Sequence, residues 1–205
     1  MSAGGAVPRH VDHDERRRMV TMVAADLLAG HGRPALTVRN VAQAAGCSTT
    51  IVSHYFEDMA DLLGQTNALA AERARARIDA VLAADPADIV GLIEAVLPLD
   101  DARRADWRVW LAFWSEALAV ESFADEQRLR ARTMVRRIER CLELRAQRDG
   151  LSGEADLSLA AHRLGALVQG IAAEALFDPR AWGPSRQRAV MRSELQLVGF
   201  SLDDV

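Results

Sequence analysis

Residues Leu36 to Phe56, LTVRNVAQAAGCSTTIVSHYF, constrain the fold more than any other stretch. Thr37 suits the cap of a short helix, and Val38, Val41, Ala42 and Ala45 recur on one face at helical spacing. Gly46 follows, the residue best able to take a left-handed backbone at a helix end. Ser48 can cap a second helix whose inner face carries Ile51, Val52 and Tyr55. Helices this short do not persist alone, because nucleation is costly and each must bury its apolar face on a neighbour. The spacing therefore predicts a helix-turn-helix, with Ala42 at the close crossing where a larger side chain would hold the helices apart.

The outer face of the second helix is polar: Thr49, Thr50, Ser53 and His54. No Asp or Glu occurs from Leu36 to Phe56, and Arg39 is the only formal positive charge there. An acid-free surface of small hydroxyls can approach phosphates and base edges in a major groove without repulsion. The alternative is a structural hairpin with a solvated outer face. The candidate DNA contacts are Thr37 and Arg39 to phosphate, with Ser48, Thr49, Thr50, Ser53, His54 and Tyr55 on or near the groove. Tyr55 is also half committed to the inner face.

Charge does not argue for nucleic acid by itself. The net charge is −4, and residues 1–60 carry six Arg against six acids, so any DNA contact must come from a local patch. Lysine is absent and all 25 basic residues are Arg. The two cysteines, Cys47 and Cys141, lie in segments of different role, as expected for reduced thiols of a cytoplasmic protein. No apolar run reaches membrane-spanning length, and the N-terminus lacks the apolar core of a signal peptide.

Taken in order, residues 1–13 are expected to be a disordered arm, and a helix starts near Asp14 and stops at Gly32 and Pro34. With the helix-turn-helix it makes a three-helix DNA-binding domain, residues 14–58. Asp58 caps a long helix from about Met59 to Ala84. Pro86 opens a helix through Val96, and others follow over about 102–120, 123–148, 154–177 and 184–199. The fold class is all-α, with about nine helices and residues 59–205 as a helical ligand and dimerisation domain.

This order of elements resembles the TetR family of bacterial repressors. GCSTTIVSHYF, residues 46–56, is similar to the family's recognition helix, and the form Ser53-His54-Tyr55-Phe56 resembles its BetI-like branch. Trp110-Leu111-Ala112-Phe113-Trp114 and Leu167-Val168-Gln169-Gly170 resemble that branch's ligand domain. The resemblance implies a homodimer, double-stranded operator DNA as partner, and a small-molecule effector, in this branch a quaternary amine such as choline. Two departures stand out. Met59 replaces the Lys often found at the start of the linking helix, beside Glu57 and Asp58, and Ser53 lies where many members have a phosphate-contacting Tyr.

For the effector, Trp107, Trp110, Leu111, Trp114 and Leu118 fall within about a third of a helix circumference. Such a stripe is often core; as a pocket it is an aromatic wall able to hold a cation. Phe113, Glu116 and Gln169 complete the candidate ligand set, and Glu94 and Glu121 are further nearby acids. In residues 155–176, Ala161, Gly165, Gln169 and Ala173 repeat every four positions, as small residues do where helices approach closely, either at a dimer interface or inside one chain. The Arg run from Arg128 to Arg148 is either a solvated face or an anion site. No His cluster has metal-ligand spacing and no catalytic constellation is recognisable, so neither metal, cofactor nor enzyme activity is expected. The expected function is a sequence-specific DNA-binding transcriptional repressor released by a small effector. The alternative is a helical small-molecule-binding or scaffold protein that no longer binds DNA. The long helix from Met59 is the element expected to carry the effector signal.

Overall fold

Polar residues at the helix starts set the segmentation. Thr37, Ser48, Asp58, Asp88, Asp100 and Asp156 each accept a hydrogen bond from the backbone N–H three residues on. Such caps contribute about 1 kcal/mol each. The structure, a computed structural model, describes residues 9–151 and 156–200. Its helices are α1 (Arg9–His31), α2 (Val38–Ala44), α3 (Thr49–Tyr55), α4 (Met59–Ala84), α5 (Ile89–Glu94), α6 (Asp101–Ala117), α7 (Glu121–Arg148), α8 (Leu157–Phe177) and α9 (Pro184–Leu197). A 3-10 turn, Arg33–Ala35, joins α1 to α2, and no strand occurs among the described residues.

Several boundaries differ from expectation, most of them by two or three residues at a helix end. α1 begins at Arg9, ahead of Asp14; residues 1–8 of the expected arm lie outside the described residues. Pro86 lies in a turn instead of opening a helix. Asp85 accepts from Ala87 N–H at 2.9 Å, and Asp88 accepts from Gly91 N–H at 2.7 Å, so α5 starts at Ile89. A Cβ at Gly91 would stand 2.1 Å from an Asp88 carboxylate oxygen and 2.8 Å from Val81, so a larger residue there would have to displace the Asp88 cap. The Glu154 start expected for α8 lies outside the described residues; the helix runs from Leu157.

Two apolar cores form. One gathers Val20, Ala24 and Leu28 of α1, Val41, Val52 and Phe56 of the helix-turn-helix, Leu62 and Leu63 of α4, and Val109 and Phe113 of α6. The other gathers Ile78 of α4, most of α5, Trp107 of α6, Ile138 and Leu142 of α7, Leu164 and Val168 of α8, and Met191 of α9. Trp110 and Trp114 pack against both cores. Helices α4 and α6 therefore belong to both, and neither core is confined to one stretch of sequence.

Polar links, the innermost of them buried, fix α6 against its neighbours. Asp106 is 1% exposed and takes Arg77 at 2.9 Å and Arg73 at 3.5 Å, both from α4. Burial still holds its carboxyl above the ordinary value, against the pull of the two guanidinium groups. Trp107 donates its indole N–H to Val96 O at 2.7 Å. Arg108 donates to Ala29 O at 2.9 Å, and Arg33 pairs with Glu116 at 3.0 Å, which ties α6 to α1 and the turn after it. Cys141 is a core residue whose thiol burial pushes up to about 12, so it stays protonated and unreactive at neutral pH.

Candidate functional site

The α2–α3 turn closes by a paired hydrogen-bond motif. Cys47 N–H reaches Ala42 O at 2.9 Å and Gly46 N–H reaches Gln43 O at 3.3 Å, with Gly46 at φ 63°. Ala42, Val41 and Val52 are buried beneath. That arrangement leaves Thr37, Arg39, Ser48, Thr49, Thr50, Ser53 and His54 exposed on the outer side and Tyr55 half-buried. Thr37 and Ser48 hydroxyls accept from Asn40 N–H at 3.2 Å and Ile51 N–H at 3.3 Å, so each holds its helix start and still has a hydroxyl proton to donate.

Two features here were not visible from the motif. His13 of α1 shares a hydrogen bond with the Tyr55 hydroxyl at 3.1 Å, and its ring lies 6.1 Å from that of His54. The α1 end thus adjoins the outer face of α3. Nothing in the local pattern around His13 signals this, since the pair is 42 positions apart. At the start of α4, Asp58 accepts from Asp61 N–H at 2.7 Å and Asp61 accepts from Glu57 N–H at 3.2 Å. The chain's own carboxylates satisfy amides that would otherwise be free for phosphate.

In the larger half, a cavity of about 460 Å³ lies between α4, α5, α6, α7 and α8. Trp107, Trp110 and Trp114 form one wall, and Gln169 and Gly165 contribute from α8. Trp107 stands edge-on to Trp110 at 4.9 Å and to Trp114 at 5.8 Å. Phe113 and Glu116 do not line it. Phe113 is turned to the opposite side of α6 into the first core, and Glu116 is held by Arg33. Leu118 follows the end of α6 and is 92% exposed. The remaining polar lining, from α4 and α7, includes Asn67, Arg75 and Glu126, which carried no signal in sequence, and Arg130 and Arg137, which belong to the Arg run whose alternative reading was an anion site.

Ala161, Gly165, Gln169 and Ala173 do not share one face. A repeat of four drifts by about 40° per step on a helix of 3.6 residues per turn. Ala161 and Gly165 are accordingly buried in the chain, Gln169 is exposed at the cavity, and Ala173 is half-buried. The outward face of α8 instead carries Leu159, Ala166, Gly170 and Phe177, with Leu159 56% and Phe177 81% exposed. On α7, Arg128, Arg130 and Arg140 pair with carboxylates of α7 itself and Arg145 with Asp149 at its end, while Arg137 reaches Asp79 of α4 and Arg148 reaches Asp85 just after α4, so most of the Arg run is paired along its own helix.

An acid-free helix-turn-helix, joined by shared helices to a larger helical unit around a cavity, defines a helix-turn-helix transcriptional regulator. The chain belongs to the TetR family: residues 21–66 match the bacterial regulatory proteins of that family, and residues 86–198 match the C-terminal domain of the BetI-type transcriptional repressors. It is similar to the regulator PksA of Bacillus subtilis, 25% identical over 195 residues covering 94% of each chain. It is similar also to BetI of Vibrio parahaemolyticus, 29% identical over 188 residues, 88% of this chain and 90% of the relative. Among solved structures, a Rhodococcus transcriptional regulator shares the fold with a TM-score of 0.79 at 24% identity, covering 89% of this chain and 95% of that one. A Saccharomonospora viridis regulator, solved in complex with choline, has a TM-score of 0.76 at 24% identity, covering 89% and 96%. The protein is thus a DNA-binding transcriptional regulator of the TetR family, and none of these relatives supports a scaffold that has lost DNA binding. No helix among the described residues is long and apolar enough to cross a membrane.

Proposed function

We propose that this chain binds a two-fold operator as a cytoplasmic homodimer and leaves it when a small organic molecule fills the cavity. Residues 14–58 are the DNA-binding unit and 59–205 the ligand and dimer unit, without catalytic activity. Thr37 and Arg39 hold phosphate, and Ser48, Thr49, Thr50, Ser53 and His54 meet the groove, with Tyr55 set behind them by His13. Two recognition helices then occupy half-sites about 34–36 Å apart. A choline complex in a protein of the same fold supports a small organic molecule as effector.

The observation that carries the proposal is the double allegiance of α6. Trp107, Trp110 and Trp114 line the cavity, while Val109 and Phe113 of the same helix belong to the core under the helix-turn-helix. A ligand that shifts α6 must also move α1, through Arg108 and through Glu116 with Arg33. Helix α4, capped by Asp58 beside α3, shares that load. Rigid spacing on DNA turns a small tilt into a lost second half-site.

The outward face of α8, with α9 and its 74% exposed Leu197, supplies a dimer surface of small and apolar residues. A Cβ at Gly170 would meet nothing within 4 Å, so Gly170→Glu leaves the subunit's own packing undisturbed. Light scattering of Gly170→Glu should show a monomer, and a mobility-shift assay should show loss of the palindromic complex. An unchanged dimer would move the interface off α8.

A further inference from the structure

We propose that the cavity selects an organic carboxylate with an apolar body, met by Arg75 and Arg137 at the rim, and not a quaternary amine. This rests on the cavity being the effector site. A buried cation needs an uncommitted carboxylate or open aromatic faces, and an anion needs an uncommitted donor.

The carboxylates are all committed. Glu126 is the single acid among the lining residues; it is paired with Arg130 and accepts from the Asn67 amide at 3.3 Å. The other acids near the Trp stripe are taken as well. Glu94 pairs with Arg188 at 3.0 Å, Glu116 with Arg33 at 3.0 Å, and Glu121 with Arg128 at 2.5 Å. The Trp faces are partly spent on one another, because both edge-on contacts of Trp107 place one ring against the face of its neighbour.

The positive side is in surplus. Arg75, Arg130 and Arg137 line the cavity against Glu126 alone. Asp79 takes Arg137 at 2.9 Å and is 56% exposed at its side chain. Arg75 makes no ion pair or hydrogen bond among the described residues. It lies one turn before Asp79 on α4, so it and Arg137 stand along the same stretch of rim. An acid group there finds one free guanidinium and a second held only by an exposed aspartate, while its apolar body lies against the Trp wall, Ile78, Val96 and Met134. A fork of two Arg suits a carboxylate's geometry better than a point charge would.

The test is direct binding to the full chain without DNA, read by tryptophan fluorescence, with octanoate, 1-octanol and choline chloride as probes. Octanoate is expected to bind about tenfold or more tighter than 1-octanol, the contribution of a charge-assisted contact, and choline to bind weaker than either. Arg75→Gln should shrink the ratio of octanoate to octanol affinity, and Arg137→Gln should shrink it less. Choline binding as tightly as octanoate, no advantage of octanoate over octanol, or a ratio untouched by Arg75→Gln would each overturn the proposal. Octanoate that binds as expected yet leaves operator complexes intact supports the carboxylate site and overturns its role in induction.

Discussion

The recognition motif and the cavity solve opposite problems with charge. Between Leu36 and Phe56 the chain leaves acids out, so a sparse surface of hydroxyls, one Arg and one His can approach an anion unopposed. Around the cavity acids are present but each is neutralised by an Arg from the same helix or another, as Glu126 is by Arg130 and Glu94 by Arg188. The first arrangement is local and exposed; the second is assembled from five helices around a cavity that opens at a rim. The difference teaches that a charge's meaning here depends on its partner. Glu116 and Phe113 lie in the aromatic segment yet serve the junction with α1.

The largest expected effect separates the two regions outright. Ala42→Leu overfills the α2–α3 crossing, where Ala42 is 3% exposed. Operator affinity should fall by about 10³-fold, toward nonspecific binding, while the fluorescence titration of the cavity persists. Loss of both together would show that the motif and the cavity fold as one unit.

Next in size is the link between them. Glu116→Gln and Arg33→Gln should each reduce the effector-dependent change in operator affinity, which for allosteric pairs spans about 5–150-fold. A double-mutant cycle should find the two changes non-additive. Full induction in both variants would place the coupling in α4 alone.

A smaller effect tests the assignment of roles within the motif. Arg39→Ala should weaken binding about equally across operator variants and lower the slope of log affinity against log salt by about 1. Thr49→Ala and Thr50→Ala should instead change which base pairs are preferred. A shifted base preference in Arg39→Ala would reverse the assignment.

The smallest effect concerns Asp106. Its carboxyl is held above the ordinary value of 3.8 by burial, against Arg77 and Arg73. A raised folded-state value means the stabilisation is full below the unfolded value and is lost as pH rises through the folded one. Melting curves should therefore show the wild type losing ground to Asp106→Asn over that window. A wild type that gains on the variant as pH rises would mean that the two guanidinium groups outweigh burial.

How much could be read from the residues alone follows from the range of the forces involved. Helix caps, glycine stops and apolar periodicity act over a few residues, and they determined the all-α class, the turn at Gly46, and α4 from Met59 to Ala84 under the Asp58 cap. The acid-free motif was legible for the same reason. Tertiary structure alone decided which residues of one helix face which neighbour. It turned Ala161 and Gly165 inward where a repeat of four had suggested a common face, split α6 between a cavity side and a DNA-domain side, and paired Arg33 with Glu116 across 83 positions. Those outcomes depend on packing and on ion-pair partners distant in sequence, and many pairings of 25 Arg with 29 acids satisfy the same local rules.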